Sequence, residues 1–111
     1  LVDRAKDLIK SGGEWISSVD LENSLMAHEA LREATVVGMP HDKWLERPIA
    51  FIVARGSERP SEDALRQHLL NAGFAKWWLP DRLVYLDQIP KTGVGKFNKR
   101  LLREQLDELL K

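Results

Sequence analysis

Residues 34–54 read Ala34-Thr35-Val36-Val37-Gly38-Met39-Pro40-His41-Asp42-Lys43-Trp44-Leu45-Glu46-Arg47-Pro48-Ile49-Ala50-Phe51-Ile52-Val53-Ala54. Ala34 to Met39 has the pattern of a strand, and Pro40, with no N–H to donate, is expected to close it. His41 to Glu46 is a polar turn enclosing Trp44. Pro48 to Ala54 is apolar almost throughout, which predicts a strand buried on both faces.

Outward from this pair, the upstream segment Asp7-Leu8-Ile9-Lys10-Ser11-Gly12-Gly13-Glu14-Trp15-Ile16 places two short apolar stretches around Ser-Gly-Gly. That is a hairpin signal, because glycine supplies the positive φ of a tight turn. Ser17, three residues before Asp20, can cap a helix running to about His28 with Leu21 and Leu25 on its buried side. Downstream, Gly56 to Pro60 is a loop, and Ser61-Glu62-Asp63 opens a helix. Leu65, Leu69 and Ala72 follow at helical spacing, and Gly73 ends it. Arg82 to Leu86 is a short strand and Pro90 to Gly95 a loop. A last helix from about Asn98 carries the stripe Leu102, Leu106, Leu109. No repeat or low-complexity tract interrupts the chain. The expected fold is a small α+β domain: an N-terminal two-stranded hairpin, a three-stranded sheet and about three packed helices.

With 111 residues the chain is one domain, short for a complete two-substrate enzyme. Its 17 basic and 17 acidic residues cancel, which argues against a nucleic-acid or membrane role driven by overall charge. The absence of cysteine excludes disulfide scaffolds and thiolate metal sites. No apolar run approaches the roughly 20 residues that span a bilayer, and no signal peptide is visible, so the expected location is the cytoplasm. The chain opens at Leu1 in charged, patterned sequence, which reads as a piece of a larger protein.

Five cations, Lys91, Lys96, Lys99, Arg100 and Arg103, fall in one stretch with no acid before Glu104. A solvated basic helix start explains most clusters of this kind. Here, however, Gly93 and Gly95 bracket Val94, leaving the backbone open to a ligand. Cations at a helix N-terminus also oppose the macrodipole unless a ligand uses them. A P-loop is excluded: Pro90 stands where its first glycine is needed, and Phe97, not Ser or Thr, follows Lys96.

Pro90-Lys91-Thr92-Gly93-Val94-Gly95-Lys96 resembles the C-terminal signature loop of the adenylate-forming superfamily, which includes the acyl-CoA synthetases, firefly luciferase and nonribosomal-peptide adenylation domains. Asp3-Arg4-Ala5-Lys6-Asp7-Leu8-Ile9-Lys10, with Ser11 to Ile16 and Asp20-Leu21-Glu22, resembles the same family's domain junction. Val36 to His41 and Leu79-Pro80 also fit, so the resemblance covers nearly the whole chain. The Ser-Gly-Gly-Glu-Trp-Ile wording most resembles medium- and long-chain fatty-acid:CoA ligases.

The resemblance implies that residues 1–6 are a hinge or linker from an N-terminal adenylation domain and residues 7–111 the C-terminal lid domain. It implies that Lys96 is the adenylation lysine and Lys6 the hinge residue. Arg4 would hydrogen-bond the nucleotide ribose, with Lys10, Glu14 and Trp15 near the nucleotide. Gly12 and Gly13 would line the CoA pantetheine tunnel after rotation of the domain. ATP, Mg²⁺ and CoA are the implied ligands, bound mainly by the N-terminal domain, and a fatty acid is the implied acid. Peripheral membrane contact stays open.

His28, His41 and His68 show no ligand spacing, so no metal site is expected on the domain. Clusters such as Phe74, Trp77 and Trp78 are more often core or a domain-facing patch; here the expected role is an interface with the N-terminal domain, and Trp44 likewise. Two other readings remain: an adenylation domain that loads a carrier protein, and a nucleic-acid-binding module using Lys91–Arg103 and the tryptophans, against which the zero net charge counts.

Overall fold

The computed structural model describes residues 8–11, 14–43, 45–93, 96–105 and 108. In chain order the strands are β1 (Leu8–Ser11), β2 (Glu14–Ser17), β3 (Leu31–His41), β4 (Leu45–Ala54), β5 (Arg82–Tyr85), β6 (Lys91–Gly93) and β7 (Lys96–Phe97). The helices are α1 (Ser18–Met26), α2 (Glu62–Asn71) and α3 (Lys99–Glu104), with a 3-10 turn at Lys76–Trp78.

The apolar run centred on Phe51 is the organising strand. β4 pairs antiparallel with β3 from Leu31↔Ala54 to His41↔Leu45. Its other edge is shared: Ser11 of β1 pairs with Leu45 at one end, and β5 runs parallel to Ile49–Ile52 further along. A parallel pairing needs a crossover, and α2 provides it. The hairpin β1–β2 extends the sheet beyond Ser11, so the hairpin and the three longer-range strands form one mixed five-stranded sheet.

Alternation along the strands divides the core in two. Ala34, Val36, Ala50 and Ile52 pack with Ile9, Ile16, Leu21, Leu25, Leu65 and Leu69, under α1 and α2. Val37, Ile49, Phe51 and Val53 pack with Ile89 and Leu102, the latter from α3. β4 is therefore buried on both faces, as its composition predicts. Each helix begins with a polar cap, the one at Ser17 as expected: Ser17 Oγ accepts from the Asp20 N–H (3.2 Å), Ser61 Oγ from Ala64 (3.1 Å) and Asn98 Oδ1 from Leu101 (3.0 Å). Gly73, at φ 102°, follows α2 in the left-handed conformation expected of a helix stop.

Two elements differ from the sequence-based reading. β3 does not stop at Pro40; it continues to His41, with Pro40 opposite Glu46. The reason is that β3 is an edge strand. The Val36 N–H points away from β4 and donates to Glu22 Oε2 (2.8 Å), which also accepts from Thr35 Oγ1 (3.0 Å). Pro40 has the same parity as Val36, so the donor it lacks would have faced outward. Secondly, within the expected loop Pro90–Gly95, Lys91–Gly93 form a strand of a two-stranded ribbon, with Lys91 opposite Phe97 and Gly93 opposite Lys96. Leu106 and Leu109, expected on the last helix's stripe, lie outside the described residues.

Candidate functional site

The ribbon β6–β7 carries the loop that sequence reading singled out. The Asn98 N–H donates to Pro90 O (2.7 Å), closing the ribbon's base just before α3, and α3 is anchored by buried Leu102. Lys91 Nζ pairs with Glu33 Oε2 at 2.8 Å, tying the ribbon to the first residues of β3. The backbone of Lys96 is thus held between a cross-strand partner, Gly93, and a capped helix. Its side chain lies outside the described residues. Of the five cations in this stretch, Lys91 meets Glu33 and Arg100 meets Glu104 (3.3 Å). Those acids neutralise part of the basic patch that the nucleic-acid reading would use.

The second motif, β1–β2, sits elsewhere. Ile9 and Ile16 are buried opposite one another, while Lys10 and Trp15 pair on the outer face. The Lys10 ammonium lies 5.5 Å from the centroid of the Trp15 ring, and that ring is 54% exposed. The Glu14 side chain and residues Arg4, Lys6, Gly12 and Gly13 fall outside the described residues, as does Trp44.

The long β3–β4 ladder separates the two motifs. Glu33, which holds the ribbon, is opposite Val53, whereas Ser11 of the hairpin is opposite Leu45. Eight residue steps of β4 lie between Val53 and Leu45, about 25 Å at a strand's rise of ~3.3 Å per residue. Rigid backbone thus places the two anchors at opposite ends of one sheet.

Sequence reading missed Glu46 and Arg47. Glu46 Oε1 accepts from the Lys10 N–H (3.1 Å). The Arg47 side chain, only 11% exposed, meets Asp81 Oδ1 through Nε and Nη2 (both 3.0 Å). Its Nη1 donates to Ser11 Oγ (3.0 Å) and Trp77 O (2.9 Å), and Nη2 to Leu79 O (3.1 Å). The one available signal was a carboxylate and a guanidinium opening an otherwise apolar strand.

The remaining candidates divide. Phe74 and Trp78 pack against the core, whereas Trp77 is exposed. His28 and His68, which sequence spacing did not connect, stand with ring centroids 4.9 Å apart. One nitrogen of each is engaged: His28 Nδ1 accepts from the Ala30 N–H (3.0 Å), and His68 Nε2 meets Ser24 O (2.8 Å). Among the described residues no three His, Cys, Asp or Glu side chains converge to hold a metal ion. No helix among them is long and apolar enough to cross a membrane.

The hairpin of mixed charge, the ribbon that carries Lys96 and the sheet between them agree with comparison with known proteins. Residues 20–96 match the family of AMP-binding enzyme C-terminal domains, and the chain belongs to that family. It is 64% identical over 93% of its length to a long-chain-fatty-acid–CoA ligase of Thermus thermophilus. It is 49% identical over 97% to a 3-methylmercaptopropionyl-CoA ligase of Ruegeria pomeroyi. The acyl-CoA synthetase of Brucella canis superposes with a TM-score of 0.85 at 30% identity over 97% of this chain. The chain spans about a fifth of each: 19% and 20% of the two ligases and 20% of the solved structure.

Proposed function

We propose that this chain is the mobile C-terminal domain of an AMP-forming fatty-acid:CoA ligase, which presents Lys96 for adenylation and the β1–β2 hairpin for thioester formation. In the first half-reaction a fatty-acid carboxylate oxygen attacks the α-phosphorus of ATP and the bond to pyrophosphate breaks. Two anions approach and charge grows on the phosphoryl oxygens, so an ammonium such as that of Lys96 stabilises the transition state. In the second, the CoA sulfur attacks the acyl carbonyl, its proton leaves and AMP departs. Gly12 and Gly13, without side chains, leave room there for the pantetheine arm, while Arg4, Lys10, Glu14 and Trp15 stand toward the nucleotide.

The observation that carries this reading is the separation of the two motifs along β4. Anchor points about 25 Å apart on one sheet support a reading in which hairpin and ribbon serve one reacting centre in turn, not together. Rotation of the domain about a hinge at Lys6 lets them serve it in turn, excluding water first and admitting a thiol afterwards. Mg²⁺, like ATP and CoA, would be bound mainly by the N-terminal domain.

The test uses a full-length ligase carrying this domain. Lys96→Ala is expected to slow adenylate formation by ~10²–10³, the scale for losing one transition-state donor, and to spare thioester formation from a supplied acyl-adenylate. Lys6→Pro, which stiffens the hinge, is expected to do the reverse. Pyrophosphate exchange and single-turnover thioesterification measure the two steps. Equal loss of both in Lys96→Ala would refute the assigned role.

A further inference from the structure

β1 is joined to the sheet in an unusual way. It exchanges a single backbone pairing with β4, Ser11↔Leu45, and beyond it β5 takes over the same edge. Pro48 sits in that gap and has no N–H to offer. Two side chains from consecutive residues of β4 do what a longer ladder would have done. Glu46 Oε1 takes the Lys10 N–H at 3.1 Å, and Arg47 Nη1 donates to Ser11 Oγ at 3.0 Å. Arg47 is itself fixed by Asp81 and by the carbonyls of Trp77 and Leu79, so three groups of the one segment running from the 3-10 turn to β5 set its position. Lys10 and Ser11 are the last residues before Gly12 and Gly13.

Gly38 completes the arrangement from β3. A Cβ there would stand 2.8 Å from Glu46 Oε2 and 3.0 Å from its Cδ, so the Glu46 carboxylate reaches Lys10 only because position 38 has no side chain. The obstructed atoms are the free end of a flexible chain. An alanine at 38 therefore turns the carboxylate aside without forcing the backbone.

From this geometry we infer that Glu46 and Arg47, with Gly38 beneath, are positioning residues for the thiol half-reaction. They latch the Lys10–Ser11 end of the hairpin to the sheet and so aim the glycine turn that follows. The inference rests on the proposed role of the hairpin. A latch acting at one end of β4 leaves the ribbon, anchored at Glu33 by the other end, undisturbed.

The experiment compares both half-reactions in a full-length ligase carrying Gly38→Ala, Glu46→Ala, Glu46→Gln, Arg47→Ala or Gly13→Val. Thioester formation from a supplied acyl-adenylate is expected to fall by ~10-fold or more, with a raised KM for CoA, in Gly38→Ala, Glu46→Ala and Arg47→Ala; misplacement by about an ångström is worth up to ~10². Adenylate formation, read by pyrophosphate exchange, is expected to stay within about twofold. Glu46→Gln keeps an oxygen for the Lys10 N–H and is expected to recover most of the loss. Arg47→Ala removes a nearly buried hub and risks misfolding, so Gly38→Ala decides the matter. The latch is overturned if Gly38→Ala leaves thioester formation unchanged while Gly13→Val slows it, or if both half-reactions fall together. An unaffected Gly13→Val would sink the hairpin's role and the latch with it.

Discussion

Leu45 has a φ of 73°, the single left-handed residue other than glycine among the described residues, and its side chain is 58% exposed. It sits where the β3–β4 turn re-enters the sheet and must pair with His41 on one side and Ser11 on the other. That conformation costs an L-residue about 1–2 kcal/mol, and an exposed leucine gains little burial in return. Leu45→Gly is therefore expected to stabilise the domain by up to about 1 kcal/mol, part of the relief being offset by the freer unfolded chain. Urea denaturation checks this; a lowered midpoint would mean that the leucine makes a contact worth more than the strain. The strain was not legible in the sequence, because a left-handed leucine has no local signature. Glu22 was illegible for a related reason. Its neighbours Leu21 and Leu25 follow the helical period into the core, but a buried carboxylate is tolerable only where donors await it. Those donors, Thr35 Oγ1 and the Val36 N–H, belong to a strand more than ten residues away.

Elements were easier to read where local chemistry decides them. The helix starts at Ser17 and Ser61, the glycine stop and the two-face apolar strand all act within a few residues, and each appears where the pattern puts it. Pro40 misled because proline ends only a strand whose N–H has a partner, and whether a strand lies at an edge is a property of the sheet. The ribbon at Lys91–Phe97 was read as a loop because strands of three and two residues are too short to show a periodicity. The joint between α2 and β5 is another such long-range product. Glu62, first residue of α2, accepts from the Leu83 N–H (2.9 Å) and Arg82 Nε (3.2 Å), with Arg66 3.5 Å away. Burial pulls its pKa upward, but the Leu83 hydrogen bond, the Arg82 hydrogen bond and the charges of Arg82 and Arg66 outweigh it, leaving the pKa below the usual 4.5. A carboxyl lowered on folding adds stability above its unfolded pKa and loses it as the pH falls through the folded one. Acidification from about pH 6 to pH 3 is thus expected to weaken the domain through this joint, by less than about 1 kcal/mol because the group is partly exposed. In Glu62→Gln that part of the pH dependence should vanish from the denaturation midpoint. An identical pH profile in the two proteins would show the joint to be electrostatically idle.

At the scale of the whole molecule, the sheet carries the β1–β2 hairpin and the β6–β7 ribbon, and its strands are attached with unequal strength. Ile49, Ala50, Phe51 and Ile52 lie between β3 and β5 and under helices on both faces, so their amides open only when everything does. β1 has one backbone pairing to β4, two side-chain hydrogen bonds and the packing of Ile9. Each such hydrogen bond is worth only about 0.5–1.5 kcal/mol net, or up to ~3 where a charged group takes part. The hairpin is therefore expected to open below the global unfolding free energy, as a unit of its own. Native-state hydrogen exchange checks this: amides of β4 should converge on the global value, and those of β1 should fall measurably below it. Removing the guanidinium in Arg47→Ala should widen the gap by lowering β1 more than β4. A gap that did not change would mean that the hairpin is held by the Ile9–Ile16 core contact alone. Uniform protection across β1 and β4 would mean that hairpin and sheet move as one body. The proposed latch would then have no local adjustment of the hairpin to control.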